Sequence, residues 1–294
     1  MMEHKTSDNL IGILMMLGAM AAFAVEDMFI KKIAVSMGTG QILVFLGVGG
    51  FLIFAVIAKR AGKQLWTRDL LLPAVLMRNL GEIIGTLGYV LAVVLTPISS
   101  ASAILQATPL AVALGAALFL KQAVGWRRWV AIGVGFVGVL IVIRPGLDGF
   151  EPASLFAVQG VIGLSIRDLA TRAIPNHVSS TVLSAFGFGV IAPAGLALMV
   201  FEGSAVMPSF DLLPLLVGVL IVGPLGYYAI VAAMRIGEVA VVTPFRYIRL
   251  VFAMIIGVLV FDENLDAMTL IGTAIIIGSG LFTIYREQRA RKAS

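Results

Sequence analysis

Two arginines lie inside an apolar stretch near the C-terminus. Arg246 and Arg249, in the sequence PFRYIRLVF, are three residues apart, which places both side chains on one face of a helix. A guanidinium group is a forked donor that suits a carboxylate or a phosphate. Pro244 has no backbone donor and leaves a carbonyl of the preceding turn unpaired at the same depth. This pattern predicts a binding site for an anionic or zwitterionic ligand.

A second polar cluster lies in the apolar run 70–94. Arg78 and Glu82 are four residues apart on one helical face, with Asn79 one step round. Four tyrosines offer hydroxyls and flat surfaces, with packing as the alternative: Tyr89 in the same run, and Tyr227, Tyr228 and Tyr247 elsewhere. Glu82 either titrates in a low-dielectric cavity or permanently neutralises Arg78, and both interpretations stay open. The predicted substrate-binding residues are Arg78, Asn79, Glu82, Tyr89, Tyr227, Arg246, Tyr247 and Arg249.

Further charges stand near the ends of two other apolar runs. Asp27 and Lys31 are four residues apart, as are Asp168 and Arg172, and such pairs stabilise a helix end. Each pair is either a structural clasp or the latch of a gate. The predicted gating or ion-pair residues are Glu26, Asp27, Lys31, Arg167, Asp168 and Arg172.

The elements that carry these charges are helices that cross a membrane. The chain is 60% hydrophobic and 13% charged, with a mean hydropathy of +1.05, whereas soluble domains are about 45–50% apolar. Its apolar runs show no period-2 alternation, which excludes strands, and about 20 residues cross the hydrocarbon core as a helix. The sequence predicts an all-α polytopic membrane protein with ten spans: 9–30, 39–58, 70–94, 100–120, 127–143, 152–173, 180–201, 210–233, 239–261 and 267–285.

The positive charges predict the orientation. Among the loops, only Lys31, Lys32 and Arg144 of the 21 lysines and arginines fall on the side opposite the N-terminus. Since cytoplasmic loops carry the excess of Lys and Arg, both termini are predicted to be cytoplasmic. The basic tail YREQRARKAS is then an anchor for lipid headgroups, and no nucleic-acid partner is expected.

An internal repeat divides the chain in two. The segment 87–102 matches 225–240 at an offset of 138, and 25–33 matches 166–174 at an offset of 141. The predicted halves are 1–147 and 148–294, with five spans each. Because five is odd, the second half enters the membrane upside down, as in the inverted repeats of secondary transporters.

These motifs resemble a known family. The segments SSASAILQATPLAVALGAALFLKQAVGWRRWVAIGVGFVGVLIVIRPG (99–146) and TPFRYIRLVFAMIIGVLVFDENLDAMTLIGTAIIIGSGLF (243–282) are similar to the EamA family of the drug/metabolite transporter superfamily. VEDMFIKK, RNLGEIIGTLGY and FRYIRLVF are most similar to the branch with bacterial S-adenosylmethionine uptake carriers. This resemblance implies a carrier in a bacterial inner membrane. Gln122 departs from the pattern, since a Glu often closes the fourth span in relatives.

Several other chemistries are excluded or disfavoured. The chain has no cysteine, and its two histidines, His4 and His177, form no metal-ligand or nucleophile-base set. GVGFVG (133–138) and GEIIG (81–85) are interpreted as close-packing helix faces and not as nucleotide sites. We therefore expect no enzyme, cofactor or metal.

The predicted function is secondary active transport of a small zwitterionic or anionic metabolite, similar to S-adenosylmethionine or an amino acid, by alternating access, with coupling to protons if Glu82 titrates. The alternatives are a carrier for riboflavin or another neutral metabolite, an exporter of metabolites or drugs, and, outside carriers, a channel or a membrane scaffold. The expected partners are the substrate and the lipid bilayer, and a homodimer is left open.

Overall fold

A computed structural model describes residues 2–119, 125–147, 149–175, 177–203, 205–236 and 239–293. The described residues form helices and connecting turns, without a strand. The helices are α1 (Met2–Ile33), α2 (Thr39–Arg60), α3 (Pro73–Leu95), α4 (Ile98–Leu105), α5 (Thr108–Phe119), α6 (Trp126–Ile143), α7 (Ser154–Arg172), α8 (Ser180–Glu202), α9 (Leu213–Ile236), α10 (Val239–Val242), α11 (Ile248–Phe261) and α12 (Ala267–Ala293). Short 3-10 segments precede α3, α9 and α11.

The apolar runs coincide with these helices. Among the described residues, eight helical segments are long and apolar enough to cross a membrane. The shorter α6 contributes an apolar helix over Trp129–Ile143. The α7 helix carries Arg167, Asp168 and Arg172, which lower its hydropathy. Many large apolar side chains, such as Val200, Leu259 and Leu118, face outward, as expected of helices that contact lipid. The protein is therefore an all-helical, multi-pass membrane protein.

Two predicted spans are broken, which corrects their interpretation as continuous helices. The fourth span divides between α4 and α5, and the ninth passes from α10 through a 3-10 segment, Thr243–Tyr247, into α11. Each break contains a Thr-Pro pair, at 108–109 and 243–244. Proline cannot donate to the carbonyl four residues earlier and its ring obstructs that carbonyl, so the helix is interrupted there. The Thr108 hydroxyl instead donates to the carbonyl of Leu105, at 2.6 Å.

Helices from the two halves pack in pairs. The most extensive contacts join α3 with α7, α2 with α8, α1 with α9, and α6 with α12. Glycines permit the close approach, since a Cβ at Gly81 would lie 2.6 Å from the backbone nitrogen of Arg167. A Cβ at Gly138 would lie 2.9 Å from the carbonyl of Gly272 on α12. The interpretation of GEIIG and GVGFVG as packing faces is confirmed.

Candidate functional site

The predicted intramembrane charges converge on one cavity. It has a volume of about 590 Å³ and lies between helices of both halves. Its charged lining residues are Glu26, Asp27, Arg78, Glu82, Arg167, Asp168, Arg172, Arg246 and Arg249. Tyr89, Tyr227 and Tyr247 line it too. Of the predicted site residues, Asn79 and Lys31 lie outside this lining. A charge in hydrocarbon is costly, so residues of this kind face the interior of a bundle, as they do here.

A buried cluster joins α1, α3 and α11. The Asp27 carboxylate accepts hydrogen bonds from the hydroxyl of Tyr89 and from Nη2 of Arg249, both at 2.8 Å. Asp27 is only 2% exposed. Arg249 also donates to the Tyr89 hydroxyl at 3.2 Å, and Ser102 lies within hydrogen-bond distance of that hydroxyl. The cluster is thus a largely buried ion pair whose carboxylate also accepts a hydrogen bond from a phenol.

A second cluster joins α3 and α7. Glu82 receives two cations, since its carboxylate lies 3.5 Å from Nη2 of Arg78 and 3.2 Å from Nη1 of Arg167. Arg167 also pairs with Asp168, its neighbour in the chain, at 2.8 Å. Asn79 accepts a hydrogen bond from Arg78 at 3.0 Å. The Glu82 carboxylate is thus shared between guanidinium groups of α3 and α7.

The residues of the two predicted i,i+4 pairs bind other partners. This corrects the interpretation of each pair as a clasp along one helix. Lys31 donates to the carbonyls of Val93 and Thr96, at 2.9 and 2.5 Å, and so neutralises the negative C-terminal end of α3. Asp27 is held across helices, as described above. Arg172 is exposed, and Asp168 pairs instead with Arg167.

The end of the bundle near Lys31 is closed by a cap between helices. The Glu263 carboxylate, just after α11, accepts from the backbone nitrogens of Ile98 and Ser99, at 2.5 and 3.2 Å, and from the Ser99 hydroxyl at 2.7 Å. These groups form the N-terminus of α4, where the helix dipole favours a negative charge. The cap therefore ties α4 to α11 at this end.

The opposite end contains the mouth of the cavity. The exposed lining residues among those described are Thr171, Arg172 and Ser180, where α7 ends and α8 begins. The Asp168 side chain is 31% exposed, in contrast to the buried Asp27. The cavity therefore opens between α7 and α8 and is closed towards Glu263.

Three lining charges lack an ion pair among the described residues: Arg172, which is exposed at the mouth, and Glu26 and Arg246, which lie further inside. No carboxylate of that part of the chain lies within 4.0 Å of the Arg246 guanidinium, and no basic group lies within that distance of Glu26. Glu26 packs against Gly223 of α9. The Arg246 carbonyl, at the second helix break, accepts from the side-chain amide of Gln106 at the first break, at 3.2 Å. The two interrupted helices thus position Arg246 in the cavity.

The other two tyrosines have packing partners. The Tyr227 hydroxyl accepts from Ser184 of α8 at 2.5 Å, and its ring meets Phe54 edge-on. The Tyr247 hydroxyl packs against Gly280 of α12 and is buried without a hydrogen-bond partner among the described residues. The hydroxyl of Tyr247 therefore points at a helix and not at the centre of the cavity.

Sequence reasoning missed several polar residues of this region. Gln106, Ser102, Ser184 and Glu263 bond to predicted site residues or close the bundle. The repeated Thr-Pro pair was the available signal for the two breaks, and hence for Gln106. Within the described residues, no three His, Cys, Asp or Glu side chains are grouped as metal ligands.

Known proteins resemble this chain in sequence and fold. It is 27% identical to an S-adenosylmethionine uptake transporter of Rickettsia felis over 73% of this chain and 72% of that protein. A riboflavin transporter of Vibrio cholerae is 29% identical over 67% and 66% of the two chains. A pseudopaline exporter of Pseudomonas aeruginosa is 25% identical over 90% and 93%.

One solved crystal structure, 18% identical, superposes with a TM-score of 0.62 over 95% of this chain and 98% of its own, which supports the fold alone. The model of one family, described as the EamA-like transporter family, matches residues 10–144 and again residues 152–285. The resemblance noted from the sequence motifs is confirmed: the chain belongs to the EamA-like transporter family.

Proposed function

We propose that this protein is a secondary active transporter that moves a small organic metabolite across a bacterial inner membrane by alternating access. The observation that carries the proposal is the charged cavity of about 590 Å³, which is open at one end of the bundle and closed at the other. A cavity of this size holds a small metabolite. Its polar groups come from both halves of the chain, so motion between the halves would change access to it.

The proposed topology has ten spans in two inverted repeats, with both termini cytoplasmic. The packing pairs support it. If the repeat relates α1 to α7 and α3 to α9, the packing pair α1/α9 corresponds to the pair α7/α3. In the same way, each of the pairs α2/α8 and α6/α12 joins a helix to its own repeat-related helix. The two family matches fall within the proposed halves 1–147 and 148–294. In this topology the mouth near Arg172 faces the cytoplasm.

Alternating access would be a rocking of two helix pairs. The Asp27–Tyr89 hydrogen bond joins α1, of the pair α1/α9, to α3, of the pair α3/α7. The repeat relates Asp27 to Asp168 and Tyr89 to Tyr227, which stand on α7 and α9. An Asp168–Tyr227 bond would therefore join the same two pairs at the cytoplasmic end. We propose that it forms as the mouth closes and the Asp27–Tyr89 bond opens, so that one latch replaces the other.

The relatives' names guide the choice of candidate substrates. Uptake of S-adenosylmethionine is the activity named for the Rickettsia felis protein, and a similar zwitterionic substrate suits the charged lining of this cavity. Riboflavin and pseudopaline, named for the other relatives, remain in the panel, and the second of these proteins is an exporter. Proton coupling is a separate question from the choice of substrate, and Glu82, the carboxylate for which it was predicted, lines the cavity between Arg78 and Arg167.

The test is transport by the purified protein in liposomes. Labelled S-adenosylmethionine, amino acids, riboflavin and pseudopaline are offered under imposed pH gradients and in counterflow. A carrier exchanges labelled for unlabelled substrate, and its rate saturates with concentration. Accumulation that follows the pH gradient would establish coupling to protons. Failure of every compound to exchange, in a protein that remains folded, would contradict the proposed function, and a rate that never saturates would indicate a channel.

A further inference from the structure

The charges of the cavity cancel except for two. Asp27 pairs with Arg249, and Glu82 and Asp168 pair with Arg78 and Arg167. Arg172 lies in the exposed mouth, where water solvates it. Of the described lining residues, Glu26 and Arg246 are left inside without an ion pair. Glu26 is an acid, and Arg246 is a permanent cation.

These two side chains are brought to the same cavity by the buried ion pair beside them. Glu26 directly precedes Asp27 on α1, and Arg246 stands three residues before Arg249. The Asp27–Arg249 bond holds these two segments together. Glu26 and Arg246 do not pair with each other, since they are not within 4.0 Å. Since both side chains line the same cavity, one bound molecule can meet both.

An unpaired charge in such a cavity is costly, and a ligand that supplies the missing partner recovers that cost. A simple anion would satisfy Arg246 and leave Glu26 without a partner. A simple cation would do the reverse, and a neutral ligand would satisfy neither. A molecule with both an anionic and a cationic group supplies a partner to each of the two side chains.

Building on the proposed transport function, we infer that the substrate is an amphoteric metabolite whose carboxylate or phosphate binds Arg246 and whose cationic group binds Glu26. Arg246 supplies a forked donor for the anion. Glu26 supplies a carboxylate, fixed against α9 at Gly223, for an ammonium or a sulfonium. The two residues thus select for opposite charges on one molecule.

The experiment compares charge classes in three proteins: the unmodified chain, Glu26→Gln and Arg246→Gln. The probes are amino acids and S-adenosylmethionine as amphoteric compounds, succinate as an anion, putrescine as a cation and riboflavin as a neutral compound. Binding is followed by thermal shift of the purified protein, and transport by counterflow in liposomes. Glu151→Gln and Arg60→Gln are matched controls, because both side chains are exposed and lie outside the cavity lining.

We expect the unmodified protein to bind and exchange amphoteric probes above all others. Each cavity variant should weaken that binding about 10- to 100-fold, the range of a charge-assisted hydrogen bond. Glu26→Gln should shift the preference towards anions and Arg246→Gln towards cations, while the controls should change neither. A preference of the unmodified protein for another charge class, or equal loss of all classes in both variants, would overturn the inference while leaving the transport function intact. Absence of exchange with any probe would instead count against the transport function as well.

Discussion

The two ends of the cavity carry related residues in different arrangements. At the closed end, Asp27 and Tyr89 are hydrogen-bonded at 2.8 Å and Arg249 completes the cluster. At the open end, Asp168 and Tyr227, which the proposed repeat relates to them, bond elsewhere, to Arg167 and Ser184. The same pair of residue types is thus hydrogen-bonded to each other at one end and not at the other. In the proposed repeat, equivalent residues therefore have different partners at the two ends.

The asymmetry also distinguishes two neighbouring arginines. Arg249 belongs to the closed-end cluster, whereas Arg246 faces the cavity without an ion pair among the described residues. Although their sequence contexts are alike, one arginine stabilises a helix contact and the other is available to a ligand. Substitution of each should therefore have a different consequence.

The largest effect is expected for Arg249→Ala. It leaves the buried Asp27 without its cation, and removing one partner of a buried ion pair costs about 3–5 kcal/mol. We expect a marked loss of thermal stability in detergent, measured by the unfolding temperature of the purified protein. Arg246→Ala is the matched control and should lose transport with a near-normal unfolding temperature. Equal stability of the two variants would contradict the distinction between these arginines.

The next effect concerns Glu82, at the open end. Glu82→Gln removes the carboxylate that pairs with Arg78 and Arg167. Water reaches this cluster more readily, so we expect a smaller destabilisation, on the order of 2 kcal/mol, and loss of counterflow at every pH. The readouts are the unfolding temperature, gradient-driven uptake and exchange. A stable variant that keeps exchange but loses accumulation would instead identify Glu82 as the group that couples protons.

The sequence predicted these clusters only in part, for a physical reason. Spans such as α2 and α8 could be predicted within two residues, because hydrophobicity and length act locally. The partner of Asp27 could not, since Arg249 is 222 positions away and the local rule pointed to Lys31. The helix breaks were missed because a single proline scarcely changes the hydropathy of an apolar run. Contacts between helices depend on packing, which a single sequence does not display.

A third prediction tests the exchange of latches directly. Tyr89→Phe removes the hydrogen bond at the closed end, and Tyr227→Phe removes the hydroxyl proposed to bond Asp168 after closure of the mouth. A hydrogen bond contributes about 1 kcal/mol, which changes the ratio of two states about fivefold. Tyr89→Phe should favour the outward-open state and Tyr227→Phe the inward-open state.

The measurement uses single cysteines in this cysteine-free chain. Ser180→Cys reports the exposed mouth, and Val93→Cys reports a residue that lines the cavity but is only 1% exposed. Tyr89→Phe should raise labelling at position 93 and lower it at position 180, with the opposite for Tyr227→Phe. Labelling that changes in the same direction in both variants would show that the tyrosines stabilise the fold without gating it.

The smallest effect is expected at an ion pair remote from the cavity. Arg144, at the end of α6, donates to Asp266, which also accepts from the backbone nitrogen of Thr269 at 2.7 Å at the start of α12. The hydrogen bond from Arg144 lowers the pKa of Asp266 to about 2. Because the folded pKa lies below the unfolded value of about 3.9, this pair stabilises the protein above pH 4 and loses its effect as the pH falls towards 2.

Since half of the Asp266 side chain is exposed, solvent screens the pair. Arg144→Gln should therefore destabilise the protein by at most about 1 kcal/mol at neutral pH, and by less as the pH falls below 4. The unfolding temperature at several pH values measures this, with Asp211→Asn as an exposed control. Transport and both labelling rates should be unchanged, because neither Arg144 nor Asp266 lines the cavity. A shift in the labelling ratio would instead place the α6/α12 contact within the gating motion. The asymmetry of the two cavity ends would then not be confined to their Asp and Tyr residues.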